Sequence, residues 1–406
     1  MISGIRGIEN RYSNPHDYRK NTFKFAILSL SLITIMAGAG VASGLNTIML
    51  AFPDTSSVLV KMIVSIPSLF MVISALLTGF FERLAGRKKL IVIGLSLFLI
   101  GGVGAGLLTS VESILIFRAI LGFGTGIILA FSTGLIAACY AGDETEKKRM
   151  MGLSFVFNCL GAIFANIAAG LLASLDWRYM FLVYLIGMIP LVMVLVFVKG
   201  LPENKGTRDT TLREAVPLKI YYFSVLTMVT MMIFYLVVTN LSTLLMQHGI
   251  GGSVLSGYMF ALISVVMLLG GLLISRIKSA RPIVFLGLLV MAAGLFGLAV
   301  TYECVFVFAS AVLFGLGLGI LYPYLLQISS SDLSQGQSVL AMSIVMASAW
   351  MGQFLSPLFF SALSILFRFT VEQSFTYVSG LLLFVTLIYG ASSIVQSKKV
   401  KGIDVM

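Results

Sequence analysis

Long apolar runs separated by short polar connections dominate this chain. A helix needs about 20 apolar residues to cross the hydrocarbon core of a bilayer. By that measure twelve spans are predicted, at 23–51, 57–81, 88–109, 112–139, 150–174, 178–199, 219–247, 253–275, 281–302, 304–328, 338–364 and 374–397. The runs are continuously apolar and do not alternate every second residue, which excludes a β-barrel. The longest internal polar connection, 200–218, is rich in charge and carries Pro202 and Pro217. It divides the chain into an N-terminal tail (1–22), a six-helix bundle (23–199), a linker (200–218), a second six-helix bundle (219–397) and a C-terminal tail (398–406). The expected fold class is an all-α polytopic membrane protein.

Composition agrees. Of 406 residues, 59% are hydrophobic and only 11% charged, against roughly a quarter charged in a soluble domain. The formal net charge of +11 would point a soluble protein towards nucleic acid, but its distribution does not. Apart from Lys61, Arg118, Arg178 and Arg368, the Lys and Arg residues fall in the tails or in alternate connections. That is the positive-inside bias, which orients membrane proteins during insertion. An even span count and a basic N-terminus then place both termini in the cytoplasm and the protein in the cell (plasma) membrane, with the lipid bilayer as partner and no nucleic acid. No cleavable signal peptide is expected, because residues 1–22 are polar and the following run is too long for a signal core. Cys139, Cys159 and Cys304 have no C-x-x-C spacing, and His16 and His248 are the only histidines. No disulfide framework, metal or cofactor is expected, and a His-based proton site is not expected either. A monomer is expected.

The halves repeat. Adding 191 to a position maps Gly79 to Gly270, Arg87 to Lys278, Phe123-Gly124 with Gly126 to Phe314-Gly315 with Gly317, Met151 to Met342 and Gly161 to Gly352. Transporters built from repeats place their substrate site where the repeats meet. None of the sixteen carboxylates falls at mid-membrane, where an ionisable group is costly and marks an ion pathway. The first span offers only Ser43, Asn46 and Thr47 as polar lining. Arg118 is the charge well inside a span, about 9 Å in at 1.5 Å per residue. A buried guanidinium needs acceptors and could hold an anionic group; the alternative is an arginine satisfied by helix-end carbonyls or snorkelling outward. In the fifth span, Asn158 precedes Gly161, Ala165 and Ala169 with Asn166 and Gly170, a small-residue stripe that permits close helix packing. The second half has no charge beyond the first residue of any span. Met228, Met232, Tyr235 and Thr239 form one stripe, Met342, Met346, Trp350, Gln353 and Pro357 another, with Tyr322 and Gln327 beside them. Such stripes are either ordinary packing or an adaptable cavity wall, since Met-rich surfaces repack around varied ligands. The G-x-G-x-G runs at 122–126 and 315–319 lie inside apolar spans and are packing motifs. With no Walker pair and no nucleophile elbow, enzymatic activity has no support.

The connection from Gly79 to Lys89 reads GFFERLAGRKK, one acid and four bases between glycines. It resembles the loop between helices 2 and 3 of the major facilitator superfamily, G-x-x-x-[D/E]-R-x-G-R-[R/K], with Gly79 one place nearer the acid and Glu82 for the commoner Asp. Arg118-Ala-Ile-Leu-Gly122-Phe-Gly124 resembles the family's R-x-x-x-G-x-G in helix 4, whose arginine has been tied to proton transfer. The stripe from Gly161 resembles the exporters' G-x-x-x-G-P-x-x-G-G, with Ala165-Asn166 in place of Gly-Pro, and Trp177-Arg178 with Phe181 resembles W-R-x-x-F. The resemblance covers about 23 to 397 and is strongest to the 12-helix drug/proton antiporter-type exporters. It implies the major facilitator fold, twelve transmembrane helices in two pseudo-symmetric six-helix bundles, and alternating access. Gly79, Glu82, Arg83, Gly86 and Arg87 would form the conformational gate, Gly161, Ala165, Asn166 and Gly170 the helix-packing stripe. Asn46, Arg118, Asn158, Tyr235, Tyr322, Trp350 and Gln353 are the candidate substrate-binding residues. The expected cargo is a small-molecule substrate, small amphipathic or drug-like compounds moved by efflux, with a proton gradient as energy source by analogy. The rivals are an uptake symporter or facilitator for a small organic anion or nutrient, and a transporter-like sensor without flux.

Overall fold

The computed structural model describes residues 20–140, 143–198, 217–274, 280–329, 331, 333 and 335–403. His16, Lys278, most of the 200–218 linker and residues 404–406 lie outside them. Among the described residues eleven helices are long and apolar enough to cross a membrane, and one bent pair makes a twelfth span. That first span, α1, is broken into Asn21–Leu32, Met36–Ala39 and Leu45–Ala51, with a 3-10 turn at Ala42–Gly44. The others are α2 (Ser57–Ala85), α3 (Arg87–Gly104), α4 (Val111–Cys139), α5 (Glu144–Ala173), α6 (a 3-10 stretch Tyr179–Gly187 continuing as helix Met188–Phe197), α7 (Leu218–Gln247), α8 (Ser253–Ile274), α9 (Ala280–Val300), α10 (Cys304–Ser329), α11 (Gln335–Phe367) and α12 (Val371–Ile403). α12 runs on through 398–403, read from the sequence as tail, because lysine sustains a helix about as well as apolar residues do.

Polar caps set several helix starts. The Ser110 hydroxyl accepts the Ser113 N–H at 3.3 Å at the head of α4, and the Asp143 carboxylate accepts the Glu146 N–H at 3.0 Å at the head of α5. Each satisfies one of the amides that a helix leaves unpaired at its N-terminus.

The chain forms two compact units, Met1–Thr210 and Thr211–Met406. In the first, α2 and α3 both pack along α4, α5 packs along α1, and α6 along α3. In the second, α8 and α9 pack along α10, α11 along α7, and α12 along α9. The neighbour list is the same with every helix number raised by six, so the two units repeat one packing plan.

Glycines show the register. A Cβ on Gly101 of α3 would lie 2.4 Å from the Leu121 nitrogen and 2.5 Å from the Phe117 oxygen; on Gly294 of α9 it would lie 2.2 Å from the Phe314 nitrogen and 2.7 Å from the Ser310 oxygen. Gly94 faces the Gly124 carbonyl as Gly287 faces that of Gly317. These counterparts are all 193 positions apart, not the expected 191. Gly126 against Met71 and Gly319 against Met267 put α8 at 196 from α2. The spacing of 191 holds between α5 and α11, where Gly161 faces the Leu32 carbonyl and Gly352 that of Met228. Gly79 therefore has no counterpart in Gly270: the first meets nothing within 4 Å among the described residues, while the second abuts Gly319. Connections of unequal length give each helix its own offset. A slip of two still superposes glycines, because both G-x-G-x-G runs have a period of two.

A Cβ at Gly161 would stand 1.7 Å from the Leu32 carbonyl oxygen. Relief requires α1 to move away from α5, so Gly161→Val is expected to cost at least the roughly 1–3 kcal/mol of an overpacked core. Thermal denaturation in detergent should show a lower midpoint, and an unchanged one would mean that the helices do not pack this closely.

Candidate functional site

Arg118 lies on α4 and is fully buried. Its Nε donates to the Ile63 carbonyl at 2.7 Å, one Nη to the Tyr184 hydroxyl at 2.6 Å, and the other Nη to the Ala37 carbonyl. The acceptors come from α2, α6 and the broken part of α1. Ile63 stands four residues before Pro67, which lies inside α2. Proline has no N–H to give, so the Ile63 oxygen loses its helical donor, and the guanidinium replaces it. Tyr184 passes its own proton towards the Met36 carbonyl at 3.4 Å. Its ring lies 5.3 Å from the guanidinium carbon and meets Phe98 edge-on at 5.5 Å. Arg118 is thus a staple through four spans. Three of its five N–H donors are taken by protein oxygens, partners that an apolar interior makes necessary.

Asn46, on the last piece of α1, is buried. Asn158 is half-buried and its carbonyl oxygen accepts the Thr34 hydroxyl. With the Ser31–Ser154 hydroxyl pair at 2.6 Å and Gly161 against Leu32, it belongs to the α1–α5 seam. Ala165, Asn166 and Gly170 lie on the buried face of α5 as the stripe predicts. The Asn166 carbonyl oxygen finds no partner among the described residues.

At the α2–α3 connection Glu82 accepts from Arg87 Nε at 2.6 Å. Gly86 stands between them with φ +75°, a conformation that costs a side chain about 1 kcal/mol or more. The glycine lets the chain turn tightly enough for acid and base to meet. Lys88 reaches the Leu195 carbonyl of α6 at 3.2 Å, while Arg83 is exposed. Close in sequence to the next connection, Lys24 of α1 pairs with Glu146 of α5, which Arg149 also approaches at 3.7 Å.

In the second unit Tyr322 packs at a cluster of Met231, Leu318 and Ala349, together with Phe234 and Met267. Its hydroxyl donates to the Met346 sulfur at 3.6 Å, and the Gln353 amide donates to the Met231 sulfur at 3.8 Å. Two of the predicted residues therefore meet at this cluster, Tyr322 and Gln353, and Trp350 is half-buried on the same helix as Gln353. Tyr235 is buried on α7. Ser356 ties α11 to α7 through the Met232 carbonyl at 2.7 Å.

The family model of the Major Facilitator Superfamily matches residues 25–357. The chain belongs to this superfamily. As a member it is a multi-pass membrane protein. Among curated relatives, the arabinose-proton symporter of Escherichia coli (strain K12) is 28% identical over 149 residues, 36% of this chain and 31% of that one. Multidrug resistance protein 3 of Bacillus subtilis is 29% identical over 134 residues, 31% of this chain and 25% of that one. The matched stretch thus spans less than a third of either relative. Solved structures share the fold: a D-xylose-proton symporter has TM-score 0.73 at 16% identity, covering 91% of this chain and 96% of that one. A bacterial homolog of the human lysosomal transporter Spinster, inward-facing and occupied, has TM-score 0.73 at 14% identity, covering 92% and 97%.

Two features of this facilitator went unread in its sequence. Tyr184, which completes the Arg118 staple, sits in an apolar run and looks like any span tyrosine. The signal that could have found the other half is Pro67: a proline inside a span always orphans the carbonyl four residues earlier, and a lone buried donor is its natural partner.

Proposed function

We propose that the protein is a secondary active exporter of small amphipathic or drug-like compounds, working by alternating access as a monomer in the cell membrane, with both termini cytoplasmic and a proton gradient as driving force. The observation that carries this reading is how the polar groups of the second unit are partnered. Tyr322 and Gln353 direct donors at thioether sulfurs, which are weak acceptors. The Tyr322 donor passes to a substrate oxygen at small cost. The methionines around them are flexible and polarizable, suited to ligands of varied shape. Apart from Lys219 in its first turn, none of α7, α8, α10 and α11 carries a charged residue, which fits an apolar cargo with few polar groups. Multidrug relatives support the same direction.

Counterflow and pH-gradient-driven flux in proteoliposomes, across amphipathic cations, anions, neutral compounds and pentoses, test the reading. Gln353→Leu should raise KM for an amphipathic substrate about tenfold, the equivalent of one hydrogen bond at 1.4 kcal/mol, with unchanged insertion. A second reading, uptake of a small polar solute, has support in the likeness to the arabinose-proton symporter. Counterflow of pentoses without amphipath flux would replace the first reading with it, and binding without any flux would leave a sensor.

A further inference from the structure

We propose that His248 and Glu372 form a proton-operated latch in the second unit. His248 Nε2 lies 2.9 Å from Glu372 Oε1. The imidazole also stacks on the Tyr302 ring, with centroids 3.8 Å apart and planes 22° from parallel. Three elements meet there: the end of α7, the connection between α9 and α10, and the start of α12.

Both partners are held by the backbone beneath them. His248 caps α7 in a Schellman turn: Ile250 N–H bonds the Leu245 carbonyl at 2.9 Å, Gly249 N–H bonds that of Met246 at 3.1 Å, and Gly249 takes φ +66°. Glu372 sits in the first turn of α12, fixed by a reciprocal capping box in which Thr370 N–H donates to Gln373 Oε1 at 2.9 Å and Gln373 N–H to Thr370 Oγ1 at 3.3 Å. The helix ends favour opposite charges, a cation at the C-terminus of α7 and an anion at the N-terminus of α12. Protonated imidazole facing carboxylate is the arrangement both ends reward. The neighbouring ionisable groups on these connections are Tyr302, Glu303, Cys304 and Arg368. The Tyr302 hydroxyl is turned to the Ala299 carbonyl at 3.2 Å, and Cys304 is exposed.

Histidine is the side chain whose charge ordinarily changes between pH 5 and 8. With the imidazole protonated the latch is an ion pair; with it neutral, a hydrogen bond that holds the three elements less firmly. The sign follows: the end of the unit tightens in acid and loosens in base.

Cys304, two residues beyond Tyr302, reports on the latch. The full chain carrying Cys139→Ser and Cys159→Ala, with a nitroxide on Cys304, is expected to show an immobilised spectrum at pH 5.5 and a more mobile one at pH 8. His248→Gln and Glu372→Gln should each abolish this change, leaving a mobile spectrum throughout. Tyr302→Phe, which keeps the stacked ring, should retain it. A pH-independent spectrum in the parent, or a change that persists in either Gln variant, overturns the proposal. Either glutamine variant alone suffices if the other fails to fold, and no transport assay enters the readout.

Discussion

Arg118→Ala is expected to destabilise the first unit more than any other single substitution. The truncation strands the carbonyls of Ile63 and Ala37 and removes the partner of the Tyr184 hydroxyl, all in an apolar interior. An unsatisfied buried polar group costs about 1–3 kcal/mol, so the sum is on the order of several kcal/mol. For a unit of this size, 1 kcal/mol moves a melting midpoint by roughly 2–4 °C, which puts the expected drop near 10 °C. Arg118→Lys should recover little, since one compact ammonium cannot reproduce a planar fork aimed in three directions. Pro67 offers a sharper test. Pro67→Ala returns an N–H to α2, giving the Ile63 oxygen back its helical donor. In an Arg118→Met background that second change should therefore be less destabilising than in wild type, or even restore part of the loss. A double-mutant cycle on melting midpoints reads this coupling directly. Purely additive effects would mean that the guanidinium does not substitute for the missing amide. A variant Arg118→Ala that melts like the parent yet moves no substrate would return the residue to the transport site.

The spans were legible because length and hydropathy are local properties. The expected run 57–81 and the helix Ser57–Ala85 begin together, as do 253–275 and Ser253–Ile274. Helices outrun their apolar cores where polar residues continue the turn, as α5 does from Glu144 to the expected start at 150. The repeat was legible as a fact but not in register. Glycine spacing of two cannot distinguish an offset of 191 from 193, and only the backbone that each glycine approaches separates them. What the sequence hid was partnership at long range. Arg118 was visible as a charge needing acceptors, and carbonyls were one of the open alternatives, but Tyr184 stands 66 positions away. His248, passed over as an isolated histidine in a connection, finds its carboxylate 124 positions on. Asn158 stood out as a candidate ligand contact, and its carbonyl oxygen is engaged by Thr34, again 124 positions away. Polar residues in a membrane protein are few, so each is conspicuous; which of them serves the fold and which the cargo is decided by the neighbour, and the neighbour is not local.

Glu82→Ala and Arg87→Ala are each expected to lower the maximal transport rate about tenfold, a change of 1.4 kcal/mol in the rate-limiting step, while leaving membrane insertion and KM unchanged. The argument starts from the connection itself. The Glu82–Arg87 bond at 2.6 Å closes a loop whose turn depends on Gly86 in a left-handed conformation. Neither side chain is buried, at 20% and 13% exposure, so their pairing is only partly screened by water and holds α2 to α3 at this end. Breaking it frees Glu82 to pair with Arg83, Lys88 or Lys89, or leaves Arg87 among like charges, and loosens the hinge between two spans without disturbing their apolar packing. We propose that this hinge paces conformational exchange, as the resemblance of residues 79–89 to the family's gate implies. If the two residues act through one bond, the double variant Glu82→Ala with Arg87→Ala should be no slower than either single variant. Independent roles predict a loss near a hundredfold, the product of the two. Initial rates at saturating substrate in proteoliposomes, normalised to inserted protein, separate these outcomes, and a rise in KM with an unchanged maximal rate would move Glu82 and Arg87 out of the gate and into substrate binding.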